Sequence, residues 1–185
     1  ARQKGQHISC EVTPHHLFFN KQNFMKYQRG SFIKMNPPLR EPEDNDYLIN
    51  SLNRGGVDYL GSDHAPHTIE EKSLTNPSGV PHLDTFGPFV CWLIKNEHFS
   101  LKRIVEICSL NPSKFLGINQ GNILIGSNAS FTVLNLEKPV TINESMLKTK
   151  CKWSPFEGIT FPGSVEATIV MGKVYLNKDI DEIKI

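Results

Sequence analysis

The sequence predicts a mixed α/β chain that changes to a mostly β segment near residue 118. Three observations carry that prediction. Two strand-like runs, at residues 7–12 and 57–61, each end in a polar loop rich in chemically active side chains. Helical spacing and capping signals recur up to Gly117. Beyond Gly121 the helical period gives way to short β-branched runs separated by turn residues.

Each element has its own signature. His7-Ile8-Ser9-Cys10-Glu11-Val12 alternates with the period of a strand, and Thr13-Pro14 ends it. Leu17, Phe18, Phe19, Phe24 and Met25 suggest a short helix or packed loop over residues 17–27. Residues 33–35 are expected to be extended, because the rigid Pro37-Pro38 pair follows. A helix is expected over residues 41–53. Pro42 stands near its start, acids fill its first turn, Tyr47, Leu48 and Leu52 have helical spacing, and Gly55-Gly56 closes it.

Val57-Asp58-Tyr59-Leu60 reads as the second strand, and a polar loop containing Asn76-Pro77-Ser78-Gly79-Val80-Pro81 comes after it. Phe89, Val90, Trp92 and Leu93 mark an apolar helix over residues 86–94. Ser100 is the expected N-cap of another, and Asn111-Pro112-Ser113 opens a third that stops at Gly117. Residues 130–134, 139–142 and 167–176 read as strands, the last bent into a hairpin at Gly172-Lys173. The expected division is therefore residues 1–117 and residues 118–185.

Composition narrows the partners. The 185 residues are 38% apolar and 21% charged, enough for a real core in an ordinary globular chain. The formal net charge of +1 gives no footprint for nucleic acid or an anionic membrane. No apolar run approaches the roughly 18 residues of a membrane span. Cys10, Cys91, Cys108 and Cys151 form no C-x-x-C pair and read as reduced thiols of a cytoplasmic protein. The chain opens at Ala1 inside a polar segment, with neither an initiator Met nor a signal-peptide pattern, so it is expected to begin within a larger protein.

Chemistry concentrates in Gly61-Ser62-Asp63-His64-Ala65-Pro66-His67-Thr68. Asp63 ends a strand and offers a hard oxygen ligand or proton acceptor, while His67 can change charge near neutral pH. His64 should point away from Asp63 if strand geometry persists, which makes it structural. His15 and His16 are adjacent on a strand exit and face opposite ways, so packing roles suit them better than shared ligation. Lys34 and Arg40 are expected to be solvated or paired, and the Phe18-Phe19 and Phe86/Phe89 groups to be core.

Three blocks in order carry a resemblance: Glu11-Val12-Thr13-Pro14-His15-His16-Leu17, Lys34-Met35-Asn36-Pro37-Pro38-Leu39-Arg40 and Ser62-Asp63-His64-Ala65-Pro66-His67-Thr68. Ser78-Gly79 with Asp84-Thr85, and Asn111-Pro112-Ser113-Lys114, extend it. Together they resemble dihydroorotases of the cyclic amidohydrolase superfamily, over nearly the whole chain. Trp153-Ser154-Pro155-Phe156-Glu157-Gly158 is similar to the C-terminal segment of family members, archaeal ones included.

The resemblance implies the C-terminal part of a metal-dependent (β/α)8 TIM barrel plus part of a small β-sandwich. It implies zinc-dependent, reversible cyclisation of N-carbamoyl-L-aspartate to L-dihydroorotate in pyrimidine biosynthesis. It assigns Asp63 as metal ligand and proton shuttle, and Asn36, His67, Ser78 and Gly79 as substrate contacts. One or two zinc ions are expected, with most ligands upstream of Ala1, because the family's His-x-His, its barrel lysine or aspartate and two further histidines are not recognisable here. The implied partners are a small-molecule substrate, the N-terminal part of the barrel, and a further copy of the protein or aspartate transcarbamoylase. His82 stands where relatives usually have glycine, which affects the shape of the substrate loop. Two other readings stay open: a hydantoinase or allantoinase acting on other cyclic amides, and a non-catalytic dihydroorotase-like subunit.

Overall fold

A computed structural model describes residues 4–176. Strands β1 (Glu11–Val12) and β2 (Tyr59–Leu60) pair in parallel, Glu11 opposite Tyr59 and Val12 opposite Leu60. The Asp58 and Gly61 amides donate to the carbonyls of Cys10 and Val12, at 2.9 Å each, and extend the pairing on both sides. β1 is shorter than expected. Residues 7–10 are exposed, and the strand pairing covers only Glu11–Val12 opposite Tyr59–Leu60.

Helix α1 (Pro14–Phe18) follows β1 at once. Pro14 therefore starts a helix as well as ending a strand: at the first helical position its missing N–H is no loss. Helix α2 (Pro42–Arg54) keeps the signals read from sequence. Glu41 and Asp44 form a capping box, and Gly55 ends the helix with φ 88°. The buried Asn45 joins the two helices. Its amide donates to the carbonyls of His16 and Phe19, at 2.7 and 2.9 Å, and its oxygen accepts from Asn20 at 2.8 Å.

The stretch expected to be a polar loop contains helix α3 (Ile69–Leu74). Thr68 and Glu71 cap it reciprocally, a spacing that the polarity of Glu70-Glu71-Lys72 had obscured. After α4 (Phe86–Lys95) comes α5 (Leu101–Val105), which continues through one π-helical turn at Glu106–Leu110 into α6 (Asn111–Leu116). The two expected helices are thus one rod. The widened turn lies immediately before the helix that carries Pro112, where an ordinary α-helical ladder would miss a donor.

The rest is antiparallel. β3 (Phe131–Asn135), β6 (Ser164–Val170) and β7 (Lys173–Leu176) form one sheet in the order β3-β6-β7, and β4 (Val140–Thr141) pairs with β5 (Thr160–Phe161). The hairpin turn is Met171-Gly172, with φ 51° and 83°, and Lys173 already pairs with Val170. Two successive positive-φ residues match the twist of the flanking strands, which shifts the turn one residue from its expected place. β5 and the beginning of β6 had no clear sequence signal.

One core runs through both parts. Phe156 is fully buried, and its ring lies within 6 Å of Phe18, Phe19, Phe89 and Phe161. Gly87 on α4 backs onto Val165 of β6. Residues from opposite ends of the chain are therefore clamped by edge and face contacts between aromatic rings. An ion pair adds to this: Arg29 Nε lies 2.7 Å from Glu157 Oε2, and Gln28 donates to the other carboxylate oxygen at 2.9 Å.

Candidate active site

The parallel β1–β2 pair sets the site. Both strands deliver their chemistry at their C-terminal ends: β1 leads into His15-His16, and β2 leads into Gly61-Ser62-Asp63. A Cβ at Gly61 would stand 2.7 Å from Glu11 Oε2, so any larger residue there would displace the exposed Glu11 carboxylate. Asp63 then takes φ 43°, a left-handed conformation that aspartate tolerates better than most residues. Its carboxylate is half-exposed, with Oδ2 3.9 Å from Nε2 of the fully buried His15.

The four sequence blocks are knitted together by backbone and imidazole contacts. His64 pairs with Val80 in a parallel bridge, and the Ala65 amide donates to the Val80 carbonyl at 3.1 Å. His64 Nδ1 accepts from the His82 and Leu83 amides at 2.9 and 3.3 Å, a structural role. His16 bridges Thr13 Oγ1 at 2.7 Å and the Pro37 carbonyl at 2.9 Å, tying α1 to the block that carries Asn36. The Gly79 amide donates to the Lys34 carbonyl at 2.9 Å, tying the same block to the loop. Asn36 itself is exposed.

His67, Ser78 and Gly79 come together. His67 Nε2 lies 3.2 Å from the Ser78 carbonyl, and its Nδ1 is 3.7 Å from Glu71 Oε2. A Cβ on Gly79 would stand 2.7 Å from Ala65 Cβ and 3.5 Å from His67 Nε2, and Gly79 has φ 122°. Gly79 is needed there on both counts. Its amide is held by Lys34 and its carbonyl by Lys72, so what this residue contributes to the site is closeness rather than a free backbone group.

Three further residues support the site: the sequence marked His82 as a departure in the substrate loop and Trp153 as part of a family-like segment, without giving either a contact, and gave Lys72 no signal. Lys72 is 1% exposed, and its Nζ donates to the Pro77 and Gly79 carbonyls at 2.6 and 3.2 Å. Burial, followed by the nearby Lys34 charge, lowers its pKa from 10.5 to about 8. Trp153 lies beneath it, 5.8 Å from Nζ to ring centroid, and its indole N–H donates to the His67 carbonyl at 2.7 Å. His82 touches His15, Nε2 to Nδ1, at 2.7 Å. Burial first, then the neighbouring His64 and His16, push the His82 pKa down to about 3. Burial and the adjoining imidazoles push His15 far below the usual histidine range. Only tertiary structure could reveal what these three touch, because each acts on residues distant in sequence or on backbone atoms.

A carboxylate and histidines delivered at the C-terminal ends of two parallel strands are placed as functional residues are in parallel α/β barrels. The chain belongs to the amidohydrolase family, whose profile matches residues 44–175. It is similar to dihydroorotases of Clostridium botulinum, 37% identical over 180 residues and 96% of this chain, and of Pyrococcus furiosus, 36% identical over 172 residues and 93% of this chain. It spans 43% and 40% of those two proteins. Among solved structures, an L-hydantoinase from Arthrobacter aurescens superposes with TM-score 0.88 at 28% identity, covering all of this chain and 42% of that one. A dihydropyrimidinase from Brevibacillus agri NCHU1002 gives 0.89 at 26% identity, covering 98% of this chain and 42% of that one. These matches agree with the expected α/β class and with the closing portion of a barrel followed by antiparallel strands.

Asp63 fits the part of one metal ligand: a hard oxygen donor, half-exposed at the strand end. Among the described residues, no three His, Cys, Asp or Glu side chains gather into a group that could hold an ion. A catalytic zinc site takes about three protein ligands. These residues therefore fit one arm of such a site. No helix among the described residues is long and apolar enough to cross a membrane.

Proposed function

We propose that this chain supplies the substrate-binding and proton-transfer part of a dihydroorotase, the zinc-dependent enzyme that interconverts N-carbamoyl-L-aspartate and L-dihydroorotate. The observation that supports it best is the Asp63 strand end knitted to the Asn36 and Ser78-Gly79 blocks, in a chain 37% identical to a dihydroorotase over 180 residues. The remaining metal donors would come from the part of the protein that this chain does not span.

Zinc, when bound, polarises the scissile amide and lowers the pKa of water. This chain's residues handle substrate and proton. In the hydrolytic direction Asp63 takes the proton that the attacking water loses and returns it to the departing ring nitrogen; in cyclisation it runs in reverse. Asn36 and His67 bind the substrate carboxylate and ring edge. Ser78-Gly79 shapes the wall, held in place by Lys72. Residues 118–176 contribute to a small β-sandwich beside the barrel, and the remaining expected residues, 177–185, lie outside the described ones. A cytoplasmic setting fits the free thiols among the described residues, and the proposed protein partners are a further copy or aspartate transcarbamoylase.

The test is turnover of carbamoyl-aspartate by the full-length protein, with metal content measured on the same sample. Absence of turnover with zinc bound would refute the proposal. The superposition on hydantoinase and dihydropyrimidinase structures favours a second reading, a cyclic amidohydrolase with a different ring substrate. Preferential turnover of hydantoin or dihydrouracil over dihydroorotate would select it.

A further inference from the structure

His15 and His82 form a buried imidazole pair directly behind Asp63. Their ring planes lie within 15°, and their centroids are 4.9 Å apart. That separation equals the 2.7 Å N···N distance plus two ring radii, so the rings meet edge to edge in nearly one plane, sharing an N–H···N bond. The other two ring nitrogens, His15 Nε2 and His82 Nδ1, are buried without a hydrogen-bond partner. His15 Nε2 is the one that faces Asp63 Oδ2.

Fully buried imidazoles with no anion in hydrogen-bonding contact stay neutral, and each carries one proton. Two arrangements satisfy the shared bond. In one, His15 donates from Nδ1. Its Nε2 lone pair then faces a carboxylate, and the His82 Nδ1–H is a buried donor with no acceptor. In the other, His82 donates from Nε2. His15 then presents Nε2–H to the Asp63 carboxylate, and only the Nδ1 lone pair of His82 is left over. A buried donor without an acceptor loses its hydration with nothing in return, and the lone pair against the carboxylate adds to that cost. Both effects favour the second arrangement.

We propose that His82 is a positioning residue: it fixes the tautomer of His15, so that His15 directs an Nε2–H at Asp63 and orients its carboxylate. The proposal rests on Asp63 being the proton-transferring carboxylate of the proposed function. At 3.9 Å the contact is longer than a hydrogen bond, so the proposal requires the half-exposed carboxylate to move toward His15. One carboxylate oxygen is then held toward the interior and the other is left for the site. The other two histidines here have different work: His16 bridges Thr13 and Pro37, and His64 holds the backbone of residues 82–83. His82 stands in a loop whose path is set by the His64 bridge, which is how a residue 67 positions away reaches His15.

The test uses full-length, zinc-loaded protein with 15N-labelled histidine. Long-range 15N–1H correlation should show His15 protonated at Nε2 and bare at Nδ1. His82→Phe keeps a ring but removes the donor, and should lower kcat about tenfold with little change in KM. His82→Gln, whose amide can donate to His15 Nδ1, should recover most of that loss. His15 protonated at Nδ1 in the unmodified protein would overturn the proposal, and so would an unchanged His15 tautomer in His82→Phe. If His82→Phe fails to fold, the tautomer of the unmodified protein still decides. If the unmodified protein turns over no carbamoyl-aspartate, the proposed function fails, whereas the His15 tautomer still reports on the pair.

Discussion

Replacing Lys72 with Met tests how the loop that carries Gly79 is held. The lysine is 1% exposed, and folding lowers its pKa from 10.5 to about 8. Below pH 8 the folded protein keeps a charge that burial disfavours. At about 1.4 kcal/mol per pH unit, that opposes folding by about 3 kcal/mol. As pH rises from 8 toward 10.5, the folded state has released the proton while the unfolded state still holds it. The lysine's contribution to stability therefore increases across that window. Methionine keeps the apolar stem and removes both the charge and the two donated bonds, at 2.6 and 3.2 Å. Each carbonyl left without a donor costs about 1–3 kcal/mol. Near neutral pH the two effects largely offset, and Lys72→Met should lie within about 3 kcal/mol of the unmodified protein. Between pH 8 and 10.5 the gap should widen by about 3 kcal/mol in favour of lysine. Urea unfolding of both full-length proteins, followed by tryptophan fluorescence at a series of pH values, measures the difference directly and cancels groups common to both. A pH-independent gap, or one that narrows as pH rises, would refute the reasoning.

Asp63→Asn should reduce carbamoyl-aspartate turnover by roughly 10²–10⁴-fold and lower bound zinc, as read by steady-state rates and elemental analysis. Retained activity with full metal content would remove Asp63 from its proposed role. Gly79→Ala brings a Cβ within 2.7 Å of Ala65 Cβ at φ 122°. It should raise KM more than it lowers kcat, and it should cost about 1–3 kcal/mol of stability in a denaturant titration. Glu157→Ala strips the partner from Arg29, which is paired at 2.7 Å with side chains only 24% and 10% exposed. A loss of about 3 kcal/mol is expected, nearly insensitive to added salt, whereas a loss below 0.5 kcal/mol would make it an ordinary surface pair.

Much of this molecule is legible in one dimension because its signals are local. The capping box and terminal glycine of α2, the apolar face of α4 and the β-rich change after α6 all follow from residues a few positions apart. The same holds for the strand end that carries Asp63, where β2, Gly61 and Asp63 are contiguous. Where the reading failed, neighbours in space had overruled neighbours in sequence. Residues 7–10 have strand period, yet they are exposed and the strand itself spans only Glu11–Val12. Pro112 looked like a new start, yet a π-helical turn joins the rods on either side. β5 is two residues long and exists only because β4 lies beside it.

The chain's own order of residues determined its class, its family and the identity of the strand-end carboxylate, since motif chemistry is written contiguously. Only the tertiary structure decided how that carboxylate is supported. His82 reaches His15 across 67 positions, Trp153 reaches His67 across 86, and Lys72 binds backbone carbonyls that carry no side-chain signature at all. Hydrogen bonds act over about 3 Å of space regardless of separation along the chain, so the scaffolding of the site became visible only once the chain was folded.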